Sequence, residues 1–396
     1  MEKIYDFDKI LDRSGSHSIK YDSLKELYGR EDLIPLWVAD MDFETPDFII
    51  DALKQRLEHP VLGYTEAYDE YWQSIISWQK QRHNWDVERD WVRYIPGIVK
   101  GIGMAITCFT EPNDKIIIQT PVYHPFRLVP EHNGRRVVDN PMKISADGRC
   151  EMDFEQLESV IDSSCKMIIL ANPHNPIGVV WDKASLQRLA DIAVKHNMIV
   201  ISDEIHCDMP LYGNVHTPFA MASEAAAECS ITFAAPSKTF NIAGIVSSYT
   251  VVKNQRLRDK FFAYLEANEM DMPTIFAMVA TEAAFTHGET WRQQMVRYIE
   301  QNVDFVADYI AEHIPAIKVV KPQASYLVWL DFSALGITHE RMVDMVVNDA
   351  RLAMNDGVMF GEEGKLHMRM NVGVPRSVLE KALEQLKAAV DNLNAQ

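Results

Sequence analysis

Four times between residues 115 and 240 a short, almost wholly apolar run breaks into a loop of polar residues, proline or glycine. KIIIQ (115–119) runs into TPVYHP, and KMIILA (166–171) into NPHNPIG. MIVIS (198–202) runs into DEIHCD, and ITFAA (231–235) into PSKTFN. Strands that do not alternate apolar with polar residues are buried on both faces, and such strands separated by helices build a mostly parallel sheet. The helices carry their own signals. DKASLQRLADIAVKHN (182–197) opens on Asp182 as N-cap, has apolar residues at helical spacing and closes at Asn197. A second helix is predicted from Asp153, with Gln156 three residues later as in a capping box.

This pattern predicts an α/β fold with a large domain over residues 50–285. The last hundred residues change character. THERMVDMVVNDARLAM (338–354) and RSVLEKALEQLKAAVDNL (376–393) read as amphipathic helices, and SYLVWLDF (325–332) and KLHMRMNV (365–372) as strands. They predict a smaller α+β domain made of residues 1–49 and 286–396.

Charge and cysteine usage narrow the partners. A net charge of −18 disfavours nucleic acid and anionic membranes, while leaving room for a local positive pocket. No apolar run reaches the length of a membrane span, and MEKIYDFDKI lacks the apolar core of a signal peptide. The five cysteines form no C-x-x-C pair and no metal-ligand spacing, so the expectation is reduced thiols, a cytoplasmic protein and no metal.

In a parallel sheet, ligands bind beyond the carboxyl ends of the strands. There the sequence places Tyr123, Asn175, Asp203 with His206, and Lys238. Singly, each has an ordinary structural reading: a packing tyrosine, a turn asparagine, a helix cap. Their occurrence in order, at successive strand ends, is harder to explain that way. Gly97 adds a fifth element, opening a helix whose first turn holds Val99 and Lys100. Free N–H groups at a helix N-terminus suit a phosphate. One chemistry needs all these parts, that of pyridoxal phosphate. Lys238 would form the Schiff base, Asp203 pair with the ring nitrogen, and Tyr123 cover the ring face. Asn175 and His206 would make polar contacts. Apolar surroundings would favour the uncharged amine of Lys238.

The motifs NPHNPIG, SDEIH and SKTFNIAG resemble those of fold-type I pyridoxal-phosphate enzymes, the aspartate aminotransferase superfamily. LWVADMDF (36–43), GYT (63–65), SDEIHCD (202–208) and SKTFNIAG (237–244) resemble more narrowly the MalY/PatB group of cystathionine β-lyases. The resemblance implies a sheet of the seven-stranded type and a homodimer with shared active sites. In that dimer Tyr64 reaches the cofactor phosphate of the neighbouring subunit. It also implies that Arg369 grips the substrate α-carboxylate, with Ala39 and Tyr123 as further substrate contacts, and that Lys238, Tyr123 and Tyr64 are catalytic. Without the resemblance, Arg369 reads equally well as a surface strand residue in an ion pair.

Two departures from the wider superfamily stand out. Val246 occupies the place of a phosphate-binding arginine, which shifts that task to the amides near Val99 and Lys100, to Ser237 and to Tyr64. His206 replaces the usual tyrosine, as it does in the C–S lyase group. The implied reaction is α,β-elimination from cystathionine or a related S-substituted amino acid, giving pyruvate, ammonia and a thiol. An aminotransferase with nearly the same machinery is the alternative within enzymes. From another class, a regulatory protein-binding role beside catalysis stays open.

Overall fold

In a computed structural model that describes residues 3–145 and 150–394, a seven-stranded sheet forms the centre. Its strands are β1 (Val92–Ile95), β2 (Lys115–Ile118), β3 (Arg136–Asp139), β4 (Cys165–Ala171), β5 (Ile199–Asp203), β6 (Ser230–Ala234) and β7 (Ser248–Val251). They lie in the order β1-β7-β6-β5-β4-β2-β3. Neighbours from β6 to β3 pair in parallel, and only β7 runs against its two partners. β4, β5 and β6 are buried almost without interruption, as their non-alternating sequence requires. Ala171, Asp203 and Phe233 lie abreast in the register, so three strands end within one residue of a common line. Because β7 is antiparallel, its first residue, Ser248, faces Ile95 at that same edge.

Helix α1 (Ile98–Phe109) follows β1 with Gly97 as N-cap at φ 108°, a conformation that favours glycine. Helix α2 (Phe154–Val160) is capped by the Asp153 side chain, which accepts from the Gln156 N–H. The reciprocal half of the expected capping box is not formed. The Gln156 side chain instead accepts from Asn140 and donates to the Asp139 carbonyl. Helix α3 (Lys183–Lys195) has Asp182 as its cap, accepting from the Ser185 N–H at 2.8 Å.

A second sheet is wholly antiparallel, with β8 (Lys318–Val320), β9 (Leu327–Asp331), β10 (Asn355–Asp356) and β11 (His367–Asn371) in the order β8-β9-β11-β10. The helix expected over 338–354 is shorter. Regular α-helix covers only His339–Asp344, a π-type turn follows over Met345–Asp349, and Arg351 adopts a left-handed φ of 54°. Leu352 and Ala353 then pair in parallel with Ile34 and Pro35, and the Leu36 N–H donates to the Ala353 carbonyl. The apolar spacing is helical, yet the backbone of residues 34–36 supplies strand partners that outcompete the last helical turn. Among the described residues no helix is long and apolar enough to cross a membrane.

Candidate active site

A cavity of about 300 Å³ opens at the carboxyl edge of the large sheet. It is lined by Ala39, Val99, Lys100, Tyr123, Asn175, Asp203, His206, Ser237 and Lys238. Nine residues singled out from sequence therefore meet in one place, brought there by six chain segments far apart in sequence. A wider groove of about 700 Å³, among Ile310, Lys318 and Trp329, contains none of them. The chemistry belongs to the smaller cavity.

Lys238 extends from the loop after β6 and donates to the Ala39 carbonyl at 2.5 Å. Burial pulls its amine down to about 8, against the opposing pull of Asp40 and Asp203. Asp203 ends β5, is buried, and accepts from the Ile205 N–H at 3.1 Å. Burial pushes its carboxyl up to about 7. Such a carboxyl is only partly ionised at neutral pH, and a cation beside it would favour the charged form. His206 is buried and held neutral, its ring pulled down to about 3 by burial and by the charges of Lys238 and Arg369. Its Nδ1 has no hydrogen-bond partner among the described residues.

Arg369 is the least expected element of the site. It sits on β11, 5% exposed, and pairs with no carboxylate among the described residues. Its guanidinium donates instead to Asn175 Oδ1 at 3.0 Å, the Trp37 carbonyl at 3.0 Å and Asn355 Oδ1 at 2.6 Å, and Nε has no partner. Burial lowers it to about 10. The alternative of a surface ion pair fails: this is a buried cation satisfied by neutral acceptors. Because Arg369 takes the Oδ1 of Asn175, the amide nitrogen of Asn175 is the end left to a ligand.

At the far end, Val99 and Lys100 supply the first-turn N–H groups of α1. Ser237 and Ser247 lie beside them, and the Ser247 hydroxyl is buried with no partner among the described residues. Tyr64 is fully exposed and lies outside the cavity of this single chain. His124 packs edge-on against Tyr123 and Phe360 and does not line the cavity.

Sequence reasoning passed over one residue lining the cavity and two that support it from behind. Ser247 lies in GIVSSY next to Val246 and belongs to no motif of its own. Asn355 and Tyr326 left no local signal. The Tyr326 hydroxyl donates to the Ala39 carbonyl at 2.9 Å, the same oxygen that Lys238 uses.

The model of the family described as "Aminotransferase class I and II" matches residues 31–386. The chain belongs to that family. Among curated relatives of this aminotransferase-family chain is the cystathionine beta-lyase PatB of Bacillus subtilis. It is 40% identical over 385 residues, which make up 97% of this chain and 99% of PatB. Protein MalY of Escherichia coli is 33% identical, over 98% of this chain and 99% of MalY. Among solved structures, cystalysin from Treponema denticola, which contains pyridoxal 5'-phosphate, superposes with a TM-score of 0.95. It does so at 35% identity over 99% of this chain and 100% of its own. The sheet order and these matches establish the fold-type I architecture expected from the motifs.

The cavity fits pyridoxal phosphate on its own terms. It has a lysine near its deprotonation point, a buried carboxylate in want of a cation and a buried histidine nitrogen without a partner. A helix N-terminus stands at the far end, with a serine hydroxyl that has no partner among the described residues.

Proposed function

We propose that this chain is a pyridoxal-phosphate-dependent C–S β-lyase. It would release pyruvate, ammonia and a thiol from cystathionine or another S-substituted cysteine. The observation that carries the reading is Arg369, a buried guanidinium whose acceptors among the described residues are all neutral, bonded to Asn175 of the cavity wall and close enough to act on the charge of Lys238 and His206. The names of PatB and of the C–S lyase from Staphylococcus hominis support it.

When bound, pyridoxal phosphate supplies an aldehyde for the lysine and an electron sink for the pair left by the Cα proton. The chain does the rest. Arg369 offers two parallel N–H groups to the α-carboxylate, a better acceptor than the carbonyl and amides that now occupy it. Lys238, uncharged in a substantial fraction near pH 8, takes the Cα proton. Loss of the β-thiolate then yields an enamine, and water converts it to pyruvate and ammonia. Asp203 would hold negative charge at the sheet end and favour a protonated ring nitrogen there. Tyr123, Asn175 and His206 would fix the ring, and Val99, Lys100, Ser237 and Ser247 would receive the phosphate.

We further read the protein as a cytoplasmic homodimer. Leu57, Val61, Leu62, Tyr64, Met270 and Met272 are all exposed. A second copy covering them would bring Tyr64 to the partner's phosphate site.

The deciding experiment adds L-cystathionine to purified protein and follows pyruvate and free thiol together. The reading requires a visible-edge absorbance band lost in Lys238→Ala, and equal amounts of both products. A band without pyruvate, but with amino transfer to an added 2-oxo acid, would replace the lyase by an aminotransferase. No band at all would overturn the cofactor.

A further inference from the structure

The chain from Trp37 to Phe43 passes the cavity at Ala39, and side chains take its carbonyls one after another. Arg369 donates to Trp37, and Asn371 to both Val38 at 2.7 Å and Asp40 at 2.6 Å. Lys238 and Tyr326 share Ala39, and Asn241 donates to Met41 and Phe43 while accepting from the Met41 N–H. Tyr326 and Asn371 are both fully buried. They stand side by side, because Leu327 of β9 is the register partner of Asn371 on β11. Neither touches the cavity, and neither has a part in the chemistry proposed above.

We propose that Tyr326 and Asn371 are positioning residues that hold the backbone of residues 38–40 so that the Ala39 carbonyl receives the Lys238 amine whenever that amine is free. A free lysine side chain has four rotatable carbons and no preferred direction. An acceptor fixed at one point removes that freedom and aims the nitrogen before it takes a proton. The Tyr326 hydroxyl has one proton and spends it on Ala39. Asn371 clamps the carbonyls on either side, so the Ala39 oxygen cannot turn away without breaking three hydrogen bonds. The inference rests on the reading of Lys238 as the base.

The test uses the cofactor-free full-length chain, with lysine labelled at 13Cε and the Lys238 resonance assigned by its loss in Lys238→Met. The charged groups acting on Lys238 are Asp40, Asp203 and Arg369, and none of them changes in Tyr326→Phe, which keeps the ring. A hydrogen bond to the charged form favours that form, so a carbonyl free to swing away lowers the titration midpoint. The expected result is a fall of about one pH unit in Tyr326→Phe and a smaller fall in Asn371→Ala. Either variant suffices if the other does not fold.

In the loaded enzyme Tyr326→Phe should lower kcat with KM unchanged and enlarge the isotope effect of an α-deuterated substrate. An unchanged midpoint overturns the proposal. So does a raised one, since it would mean that Tyr326 merely competes with Lys238 for the carbonyl. These outcomes are independent of the absorbance band and pyruvate assay, which test Lys238 itself.

Discussion

At the Arg369 end of the pocket a full positive charge is buried behind three neutral acceptors. At the Gly97 end the one charged side chain among the lining residues is the exposed Lys100, and the buried binding groups are helix N–H dipoles and serine hydroxyls. Both ends suit an anion, by different means. A planar guanidinium recognises the shape of a carboxylate and loses most of that ability when shortened or rounded. A helix N-terminus attracts charge through aligned backbone dipoles, so few of its contacts can be removed by changing a side chain. The Arg369 end should therefore be sensitive to single substitutions and the Gly97 end tolerant of them.

The largest expected effect tests the sensitive end. Arg369→Ala should lower kcat/KM for an amino-acid substrate by about 2–3 kcal/mol, roughly 30- to 150-fold, mainly through KM. Arg369→Lys should recover little of it, because an ammonium cannot reproduce the fork. Recovery by lysine would show that only charge matters there, and the contrast would vanish.

Between the two ends stands Lys238, whose burial has a measurable cost. Its amine lies at about 8 in the fold against 10.5 in the unfolded chain, so the unfolded chain binds more protons between those values. Stability of the cofactor-free protein should rise with pH across that window. Below it, Lys238→Met should be more stable than the parent by about 3 kcal/mol, and the gap should close by pH 10.5. Urea denaturation at pH 7 and pH 10 reads both values. A gap that stays constant with pH would place its origin in packing rather than charge.

The tolerant end carries the smaller effects. Gly97→Ala forces a side chain into φ 108°, while its added carbon would meet Val246 only at an ordinary 3.8 Å. The cost is thus backbone strain, about 1–3 kcal/mol of fold stability, with a matching loss of pyridoxal phosphate affinity. Ser247→Ala should weaken cofactor binding by about 1 kcal/mol, roughly fivefold, with the fold unaffected. If Ser247→Ala matched Arg369→Ala in size, the phosphate end would depend on one side chain after all.

How the two ends could be read from sequence follows the same division. Lys238, Asp203, Asn175 and Tyr123 each follow an apolar run, so their place at one sheet edge follows from strand periodicity alone. Gly97 announced a helix start, and the N–H groups of Val99 and Lys100 came with it. Arg369 pointed nowhere until the motif resemblance assigned it. Its acceptors lie at positions 37, 175 and 355, and no local pattern links them. The helix expected over 338–354 failed for a similar reason: residues 34–36, remote in sequence, claimed its last turn as a strand.

What the sequence determined by itself was the parallel sheet, the succession of reactive residues at its carboxyl edge and the helix start that suits a phosphate. These depend on side-chain identity and spacing over a few residues. Tertiary structure alone decided that, among the described residues, Arg369 is a buried cation without a carboxylate and Ser247 a hydroxyl without a partner, and that Lys238 and Tyr326 meet on the Ala39 carbonyl. A backbone carbonyl is the same at every position, so only the folded chain can say which one a lysine will find.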